Sequence, residues 1–395
     1  MVYPDTRSHR MDGGTLEILV RKYLGLGFPQ SSFAWQGGEP TLAGLEFFKE
    51  AVRLESKHGA SGQSVSNGFQ TNGLLIDGDW ARFFQKYKFL IGLSLDGPED
   101  IHNAYRSRLS GTGTHSDVLK ALKTLQRWEV QFNVLCVVTK ANVRRGGELY
   151  RYYRDLGVTH VQFIPAVETD PSTGQPAEFT VSPAEYGDFL CEVYDPWIAG
   201  DPERFSIRDF ESILTTYVDG PDRMCIHGPL CDTYFLIEHN GDVYPCDFFC
   251  DPKWKLGNVN ENDFEELQGC DLYRRFAEMK SDLPEECQAC PWLKPCWGGC
   301  TKDRLNIFGQ ANVKGYFCES YKRFLPHAEP GMLVLKEIIE LTRQKREMED
   351  RLSAAQPTTA DGQRRPRRND PCPCGSGKKY KHCCQRNDLN AENVK

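Results

Sequence analysis

The stretch Phe33-Ala34-Trp35-Gln36-Gly37-Gly38-Glu39-Pro40-Thr41-Leu42 joins a short apolar segment to a glycine-rich polar turn. Its apolar residues predict a buried strand over Phe33–Trp35, and the paired glycines with the proline predict a tight turn directly after it. Two later apolar segments end in a similar way, in Gln70-Thr71-Asn72-Gly73 and in Ser94-Leu95-Asp96-Gly97-Pro98. Parallel α/β folds bind their ligands at the carboxyl ends of their strands, so these endings predict a binding site.

Strands and helices alternate around this stretch, from residue 15 to about residue 167. The predicted strands are Phe33–Trp35, Val65–Gln70, Phe89–Leu95, Gln131–Val138 and His160–Ile164. Amphipathic helical segments separate them. Short buried strands with helices between them predict a parallel sheet, open or closed into a barrel, and hence an α/β fold.

The composition excludes several classes of protein. With 395 residues the chain is long enough for more than one folded unit. No apolar run reaches the roughly 18 residues of a membrane span, and no signal peptide opens the chain, so we expect a cytoplasmic protein without a membrane partner. The net charge of -7 argues against a surface that binds nucleic acid throughout, and no firm nucleic-acid partner is predicted.

The chain has sixteen cysteines, and all but Cys136 and Cys191 follow residue 224. A disulfide framework is one interpretation, but such frameworks belong to small secreted domains. Clustered thiols in a long chain without an export signal favour metal binding instead.

Eight of these cysteines have a regular spacing: Cys225-x5-Cys231-x14-Cys246, then Cys287-x2-Cys290-x5-Cys296-x3-Cys300, then Cys318. Eight thiolates suit two sites of four, which hold either tetrahedral zinc or iron–sulfur clusters. Spacing alone does not choose between these metals. Cys250 and Cys270 stand apart from the set.

This spacing, with Asp247 directly after Cys246, resembles the SPASM domain of anaerobic sulfatase-maturating enzymes, which are radical-SAM enzymes. The three strand endings resemble the site where that family binds S-adenosylmethionine (SAM). The resemblance covers roughly residues 12–330. It implies a partial (β/α)6 radical-SAM barrel over residues 1–167, a connecting helical region over 168–224 and a SPASM domain over 225–330.

The resemblance also implies roles for individual residues. Two auxiliary [4Fe–4S] clusters would be held by Cys225, Cys231, Cys246 and Cys300, and by Cys287, Cys290, Cys296 and Cys318. SAM would contact Gly38, Glu39, Ser94, Arg106 and Val167, with Glu39 offering an anion to the SAM ammonium. Gln36 would contact the substrate backbone, and Asp247 would be the catalytic base. Ordinary structural roles are the alternatives: a surface salt bridge for Arg106, core packing for Val167 and a turn or helix cap for Asp247.

The function that the resemblance implies is the oxidation of a sulfatase cysteine or serine to formylglycine. The partners would be the sulfatase polypeptide and an electron donor such as flavodoxin or ferredoxin. Two other functions stay open: a different SPASM radical-SAM enzyme that modifies peptides, and a non-catalytic metal-binding adaptor.

One part of the family pattern is absent from the sequence. Radical-SAM chemistry uses a Cys-x3-Cys-x2-Cys loop, and no cysteine precedes Cys136. We therefore expect the first barrel strand and its cluster loop to be missing, through a late start codon or a truncated gene. A chain that begins at Met1 is expected not to cleave SAM, and a SAM-binding cluster is expected only if upstream residues exist.

The C-terminal part has its own pattern. Residues 331–352 predict a terminal helix, and residues 353–369 predict a flexible linker. Residues 370–384 resemble the SEC-C motif, a small zinc module. The resemblance implies one Zn²⁺ held by Cys372, Cys374, Cys383 and Cys384, with His382 as an alternative to Cys384.

Overall fold

A computed structural model describes residues 9–200, 202–220, 224–354 and 368–384. The chain divides into two compact units, Met1–Leu333 and Val334–Lys395. Among the described residues, each helix is too short or too polar to span a lipid bilayer.

The first unit is built on a parallel sheet. Its strands are β1 (Gln30–Trp35), β2 (Ser64–Thr71), β3 (Leu90–Ser94), β4 (Phe132–Val138), β5 (His160–Pro165) and β6 (Ser206–Ile207). Their order in the sheet equals their order in the chain, and every neighbouring pair is parallel. Within the described residues β1 pairs only with β2 and β6 only with β5, so the sheet is open. The predicted α/β class and partial barrel are confirmed.

Helices lie between these strands and in front of β1. They are α1 (Gly13–Gly25), α2 (Leu45–His58), α3 (Gly78–Tyr87), α4 (Glu99–Tyr105), α5 (His115–Arg127), α6 (Gly146–Asp155), α7 (Pro183–Ile198) and α8 (Arg208–Val218). Asp12 caps α1 by accepting a hydrogen bond from the Thr15 amide at 2.9 Å. Leu16 and Val20 are fully buried on the face of α1 that packs against α2, as a spacing of four residues requires.

The sheet continues beyond the boundary that we predicted at residue 167. The connecting region 168–224 contributes α7, β6 and α8, and β6 pairs with β5 through His160 and Val161. A two-residue strand leaves no alternation in the sequence, so periodicity does not detect it.

The cysteine-rich segment forms a small antiparallel sheet and several short helices. The strands are β7 (Leu236–Ile237), β8 (Asp242–Tyr244) and β9 (Gly257–Asn258). The helices are α9 (Phe264–Gly269), α10 (Asp271–Glu278), α11 (Glu285–Gln288), α12 (Leu293–Cys296) and α13 (Thr301–Phe308). Val243, Val259 and Phe264 share one hydrophobic core with Leu16 and Phe33. This shared core fixes the cysteine-rich segment against α1 and β1.

The last helix, α14 (Cys318–Ala354), is longer than the predicted helix over residues 331–352. Pro326 and Pro330 lie within it. Proline usually ends a helix, which is why the sequence indicated a later start. Most of the predicted linker, residues 355–367, lies outside the described residues.

Candidate functional site

A cavity of about 2000 Å³ lies between the parallel sheet and the cysteine-rich segment, and residues of both line it. Its lining contains the turn after β1, from Gln36 to Glu39, and also Asp247. Four of the spaced cysteines line it as well: Cys225, Cys296, Cys300 and Cys318. Sites for a single small molecule measure about 300–1,000 Å³, so this cavity has room for a nucleoside-sized molecule and a peptide segment together.

The turn after β1 is organised by the Glu39 carboxylate. One oxygen accepts hydrogen bonds from the Thr41 amide at 3.0 Å, the Thr41 hydroxyl at 2.6 Å and the Thr71 hydroxyl at 2.8 Å. The other accepts from the Asn72 amide at 2.8 Å. Glu39 therefore fastens the end of β1 to the end of β2. The preceding Gly38 has a φ of 51°, which suits glycine. The predicted contact of Glu39 with the SAM ammonium stays a prediction, and mainly the second oxygen has capacity left for it.

Arg106 is paired with a buried carboxylate. Its Nε and one Nη donate to the two oxygens of Asp96, at 2.5 and 3.2 Å. Asp96 also accepts from the Val137 amide at 2.9 Å, and its side chain is 8% exposed. This bidentate pair holds the guanidinium in one orientation. Ser94 lies buried at the end of β3.

Val167 follows β5 and is buried, and Lys302 reaches its backbone carbonyl from α13. The Lys302 ammonium also pairs with Glu168 at 2.7 Å and lies 5.0 Å from the centre of the Phe248 ring. Lys302 thus connects the cysteine-rich segment to the segment that follows the carboxyl end of β5. Ser94, Arg106 and Val167, all within the described residues, do not line the large cavity.

Asp247 and Gln36, which were predicted separately, meet at the cavity. The Gln36 amide donates to one Asp247 oxygen at 3.2 Å. Tyr234 donates its hydroxyl to the other oxygen at 2.6 Å and also lies 3.4 Å from the Cys246 sulfur. Burial, together with the neighbouring Cys246 and Asp247, raises the pKa of Tyr234 well above its usual value. The phenol therefore stays protonated and acts as a donor. Sequence reasoning missed Tyr234, whose only signal is its position three residues after Cys231.

The spaced thiols fall into two groups. Cys225 is close enough to Cys231 and to Cys300 for their charges to affect one another's pKa. In the other group Cys287 lies within range of Cys290 and Cys318, and Cys296 within range of Cys287 and Cys318. Within the described residues, no other cysteine is among the groups that act on Cys246, and the two predicted ligand sets stay a prediction. All sixteen cysteines are free thiols, so the disulfide alternative is not supported.

Known protein families match both the parallel-sheet region and the cysteine-rich segment. A family model described as "Radical SAM superfamily" matches residues 13–162, and one described as "Iron-sulfur cluster-binding domain" (SPASM) matches residues 229–291. The cysteine-type anaerobic sulfatase-maturating enzyme of Clostridium perfringens is 37% identical over 320 residues, 80% of this chain and 86% of the relative. This chain belongs to the anaerobic sulfatase-maturating enzyme family. The serine-type enzyme of Bacteroides thetaiotaomicron is 31% identical and is matched over 85% of each chain.

Solved structures agree with this family. Native anSMEcpe with bound AdoMet (SAM) and the Cp18Cys peptide is 36% identical, with a TM-score of 0.79 over 83% of this chain and 92% of that chain. SuiB of Streptococcus suis bound to S-adenosylmethionine is 18% identical, with a TM-score of 0.58 over 80% of this chain and 72% of that chain. The likeness to SuiB shows the fold alone.

The thiols between residues 225 and 318 fit the clusters that this family implies. Tetrahedral zinc with sulfur at about 2.3 Å would bring its four sulfurs to about 3.8 Å from one another. Within the described residues, such a close group forms only at the C-terminus. The eight spaced thiols form no such close group among the described residues, and the buried cations Lys280 and Arg304 act electrostatically on several of them. Buried positive charge beside cysteines suits thiolate ligands of an anionic cluster.

The C-terminal module, by contrast, is spaced for one ion. A family model described as "SEC-C motif" matches residues 368–386. The sulfurs of Cys372, Cys374, Cys383 and Cys384 lie within 4.8 Å of one another. The distance from the Cys374 sulfur to that of Cys372 is 3.3 Å, and to that of Cys383 it is 3.4 Å. The fourth residue of this close group is Cys384; its role as a zinc ligand, in preference to His382, stays a prediction.

Proposed function

We propose that this chain serves in the oxidation of a cysteine or serine residue of a sulfatase to Cα-formylglycine, with SAM as co-substrate. The observation that carries the proposal is the hydrogen-bonded group of Gln36, Tyr234 and Asp247 at a cavity bordered by the spaced thiols. Membership of the family supports the same reaction. A carboxylate with both oxygens oriented by donors suits a base that must meet one substrate proton.

The chain's own residues would share the work as follows. The peptide would lie in the cavity, where the target side chain approaches Asp247. The Tyr234 hydroxyl and the Gln36 amide would keep the carboxylate aimed at the substrate, leaving lone pairs on both oxygens for the proton. Gln36 would also hydrogen-bond the peptide backbone through its amide oxygen.

The cofactors would occupy neighbouring positions. Gly38 and Glu39, which line the cavity, would contact SAM there. Ser94, Arg106 and Val167, which lie outside the cavity lining, would contact SAM from beside it, with Arg106 presented by Asp96 to the SAM carboxylate. When bound, SAM and the iron–sulfur clusters would supply the radical that removes a hydrogen atom from the substrate's β-carbon and an acceptor for the remaining electron. Asp247 would take the thiol or hydroxyl proton, so that the target carbon loses two electrons in all. A serine would then give the aldehyde directly, and a cysteine would give a thioaldehyde that water hydrolyses to the aldehyde with release of hydrogen sulfide.

The 395-residue sequence as it stands contains no Cys-x3-Cys-x2-Cys motif. We therefore propose that it does not start SAM cleavage unaided. An electron donor such as flavodoxin or ferredoxin would serve a form that has the motif. The sixteen free thiols support a reducing compartment, so we place this reaction in the cytoplasm.

The test compares two proteins after anaerobic reconstitution with iron and sulfide: the chain as given, and the chain preceded by a Cys-x3-Cys-x2-Cys segment of the family. Sulfatase peptides with cysteine or serine at the target position are the substrates. We expect 5′-deoxyadenosine and formylglycine from the extended protein only, as measured by chromatography and mass spectrometry. A crosslinked or epimerised peptide in place of formylglycine would refute the proposal.

Two substitutions in the extended protein test the base. Asp247→Asn keeps the shape but removes the charge, so we expect the formylglycine rate to fall by about a hundredfold or more, the usual range for general-base catalysis. Tyr234→Phe removes one donor to Asp247 and should lower the rate by about tenfold, with the KM for peptide nearly unchanged. Equal rates for Asp247→Asn and the parent would exclude Asp247 as the base.

For the C-terminal module we propose one Zn²⁺ held by Cys372, Cys374, Cys383 and Cys384. Four sulfurs at distances suited to tetrahedral zinc support this assignment. The full chain should contain about one zinc, and Cys374→Ser should abolish it without changing the iron content. Zinc that persists in a Cys384→Ser variant but not in a His382→Ala variant would transfer the fourth ligand to His382.

A further inference from the structure

Two fully buried cations, Lys280 and Arg304, lie among the spaced cysteines. The Lys280 ammonium donates to three backbone carbonyls, those of Ile226, Trp297 and Gly299. Within the part of the chain that the structure describes, this ammonium forms no ion pair with a carboxylate. Its three acceptors are uncharged, so they satisfy its hydrogen-bonding capacity but leave its charge uncompensated.

Arg304 is held in the same manner. Its terminal nitrogens donate to the carbonyls of Ala311 at 2.7 Å and Lys280 at 2.9 Å, with longer contacts to other uncharged oxygens. Its Nε is buried and finds no acceptor among the described residues. A buried guanidinium with an unused donor points to an anionic partner that the polypeptide alone does not provide.

The ionisable side chains with the largest favourable electrostatic effect on these two cations are mainly cysteines. The charges of Cys225, Cys231 and Cys300 act on Lys280, and Lys280 in turn acts on Cys296 of the second set. Cys231 and Cys300 also act on Arg304, and so does Cys287 of the second set. The carboxylates Asp303 and Asp282 act on Lys280 and Arg304 more weakly and form no hydrogen bond with them through their side chains. A protonated thiol carries no charge, so the compensation arises only when the sulfurs are deprotonated as ligands.

We propose that Lys280 and Arg304 are the counter-ions of the two auxiliary clusters and raise their reduction potentials. Lys280 acts mainly on the cluster of Cys225, Cys231, Cys246 and Cys300 and more weakly, through Cys296, on the second cluster, whereas Arg304 acts on both. The inference rests on the proposed function, which places clusters at these thiols. A cluster held by four thiolates is anionic and gains one more negative charge when it is reduced, so a buried cation favours the reduced form.

This arrangement has a consequence for the reaction. Cys246 immediately precedes Asp247, so the cluster that Lys280 faces is the one next to the proposed base. A higher potential at that cluster makes it a better acceptor for the electron that the substrate loses. Lys280 and Arg304 touch neither substrate nor SAM in this arrangement and act through the clusters.

The test measures the midpoint potentials of the clusters in the full reconstituted chain by EPR-monitored titration, together with iron and sulfide content. Lys280→Gln keeps a donor for the carbonyls and removes the charge, and Lys280→Arg keeps the charge. Lys294→Gln removes an equal charge from an exposed position in the same segment, where solvent screens it. Arg304→Gln removes the second buried charge.

We expect Lys280→Gln to make reduction of one auxiliary cluster less favourable by about tenfold or more, a shift of about 59 mV for one electron. The other cluster should shift in the same direction by a smaller amount, because Lys280 also acts on Cys296. Arg304→Gln should lower both potentials, whereas Lys280→Arg and Lys294→Gln should leave them close to the parent's. These outcomes would separate charge from packing.

Other outcomes overturn the inference in distinguishable ways. A parent chain without iron after reconstitution refutes the cluster assignment, and with it the proposed function. Full iron content with unmoved potentials in Lys280→Gln and Arg304→Gln refutes only the counter-ion role. If both variants fail to fold even without iron, the two cations are needed for packing of the polypeptide, and the counter-ion role is wrong.

Discussion

A buried carboxyl on α2, hydrogen-bonded to β2, makes the stability of this protein depend on pH. Glu55 lies on α2 and is 6% exposed. One of its oxygens accepts a hydrogen bond from the Asn67 amide at 3.0 Å, and the other has no partner among the described residues. Asn67 in turn accepts from the indole of Trp35 at 2.7 Å. Burial raises the pKa of Glu55 from 4.5 to about 7, against the smaller opposing effect of Asn67.

The sign of the effect follows from proton binding. Between about pH 4.5 and pH 7 the folded chain holds a proton on Glu55 that the unfolded chain has lost. Stability is therefore highest below this window and falls as the pH rises through it. Each pH unit lowers the free energy of unfolding by about 1.4 kcal/mol, so the whole window lowers it by about 3 kcal/mol.

Glu55→Gln removes the titration and keeps an oxygen for Asn67. We expect the variant to be more stable than the parent at pH 8 by up to about 3 kcal/mol, and the advantage to vanish near pH 5. The assay is urea unfolding of the metal-free chain at both pH values. Glu46→Gln, on an exposed position of the same helix, should show no such difference. If the parent and Glu55→Gln lose equal stability between pH 5 and pH 8, Glu55 ionises freely in the folded chain and the reasoning is wrong.

Three further predictions concern the site. Asp96→Asn should weaken SAM binding by about tenfold, measured by calorimetry, because Arg106 loses its bidentate partner; unchanged affinity would exclude that role. Lys302→Met should destabilise the first unit by about 1–2 kcal/mol in urea unfolding, since the half-exposed Glu168 loses its partner and the Val167 carbonyl its donor; an equally stable variant would contradict this role of Lys302. A chelator added to the full chain should remove zinc and leave the iron of the first unit in place; joint loss of both metals would contradict separate sites.

Local patterns were sufficient to predict most of the sheet. Five of the strands have enough alternating or continuous apolar residues to be found from the sequence, and their observed bounds differ from the predicted ones by at most three residues. The failures also have local causes. β6 has only two residues, and α14 contains two prolines that sequence reasoning treats as a helix end. Pairing with β5 supplies the order that β6 lacks by itself.

The site was predictable in its members but not in its contacts. Gln36 and Asp247 are separated by 211 positions in the sequence, and nothing local relates them. Glu39 was predicted to offer an anion to the SAM ammonium, and that stays a prediction; the sequence did not indicate that four donors from Thr41, Thr71 and Asn72 would surround its carboxylate. Two of these donors belong to another strand ending, so their approach depends on the register of β1 against β2.

Ligands and counter-ions differ in how visible they are in a sequence. Cysteines at metal-binding spacings are rare, so their pattern alone indicates a site. Lys280 and Arg304 belong to the residue types that are most often exposed, and both lie in helical or turn segments where a charged residue is ordinary. Only the tertiary structure shows that both are fully buried and that the donors of each meet uncharged acceptors. Because burial of an uncompensated charge is unfavourable, their positions in the metal-free chain make sense as preparation for anionic clusters. The metal-free chain should therefore be less stable than the cluster-loaded chain, and the added stability should lie in the segment between residues 225 and 318.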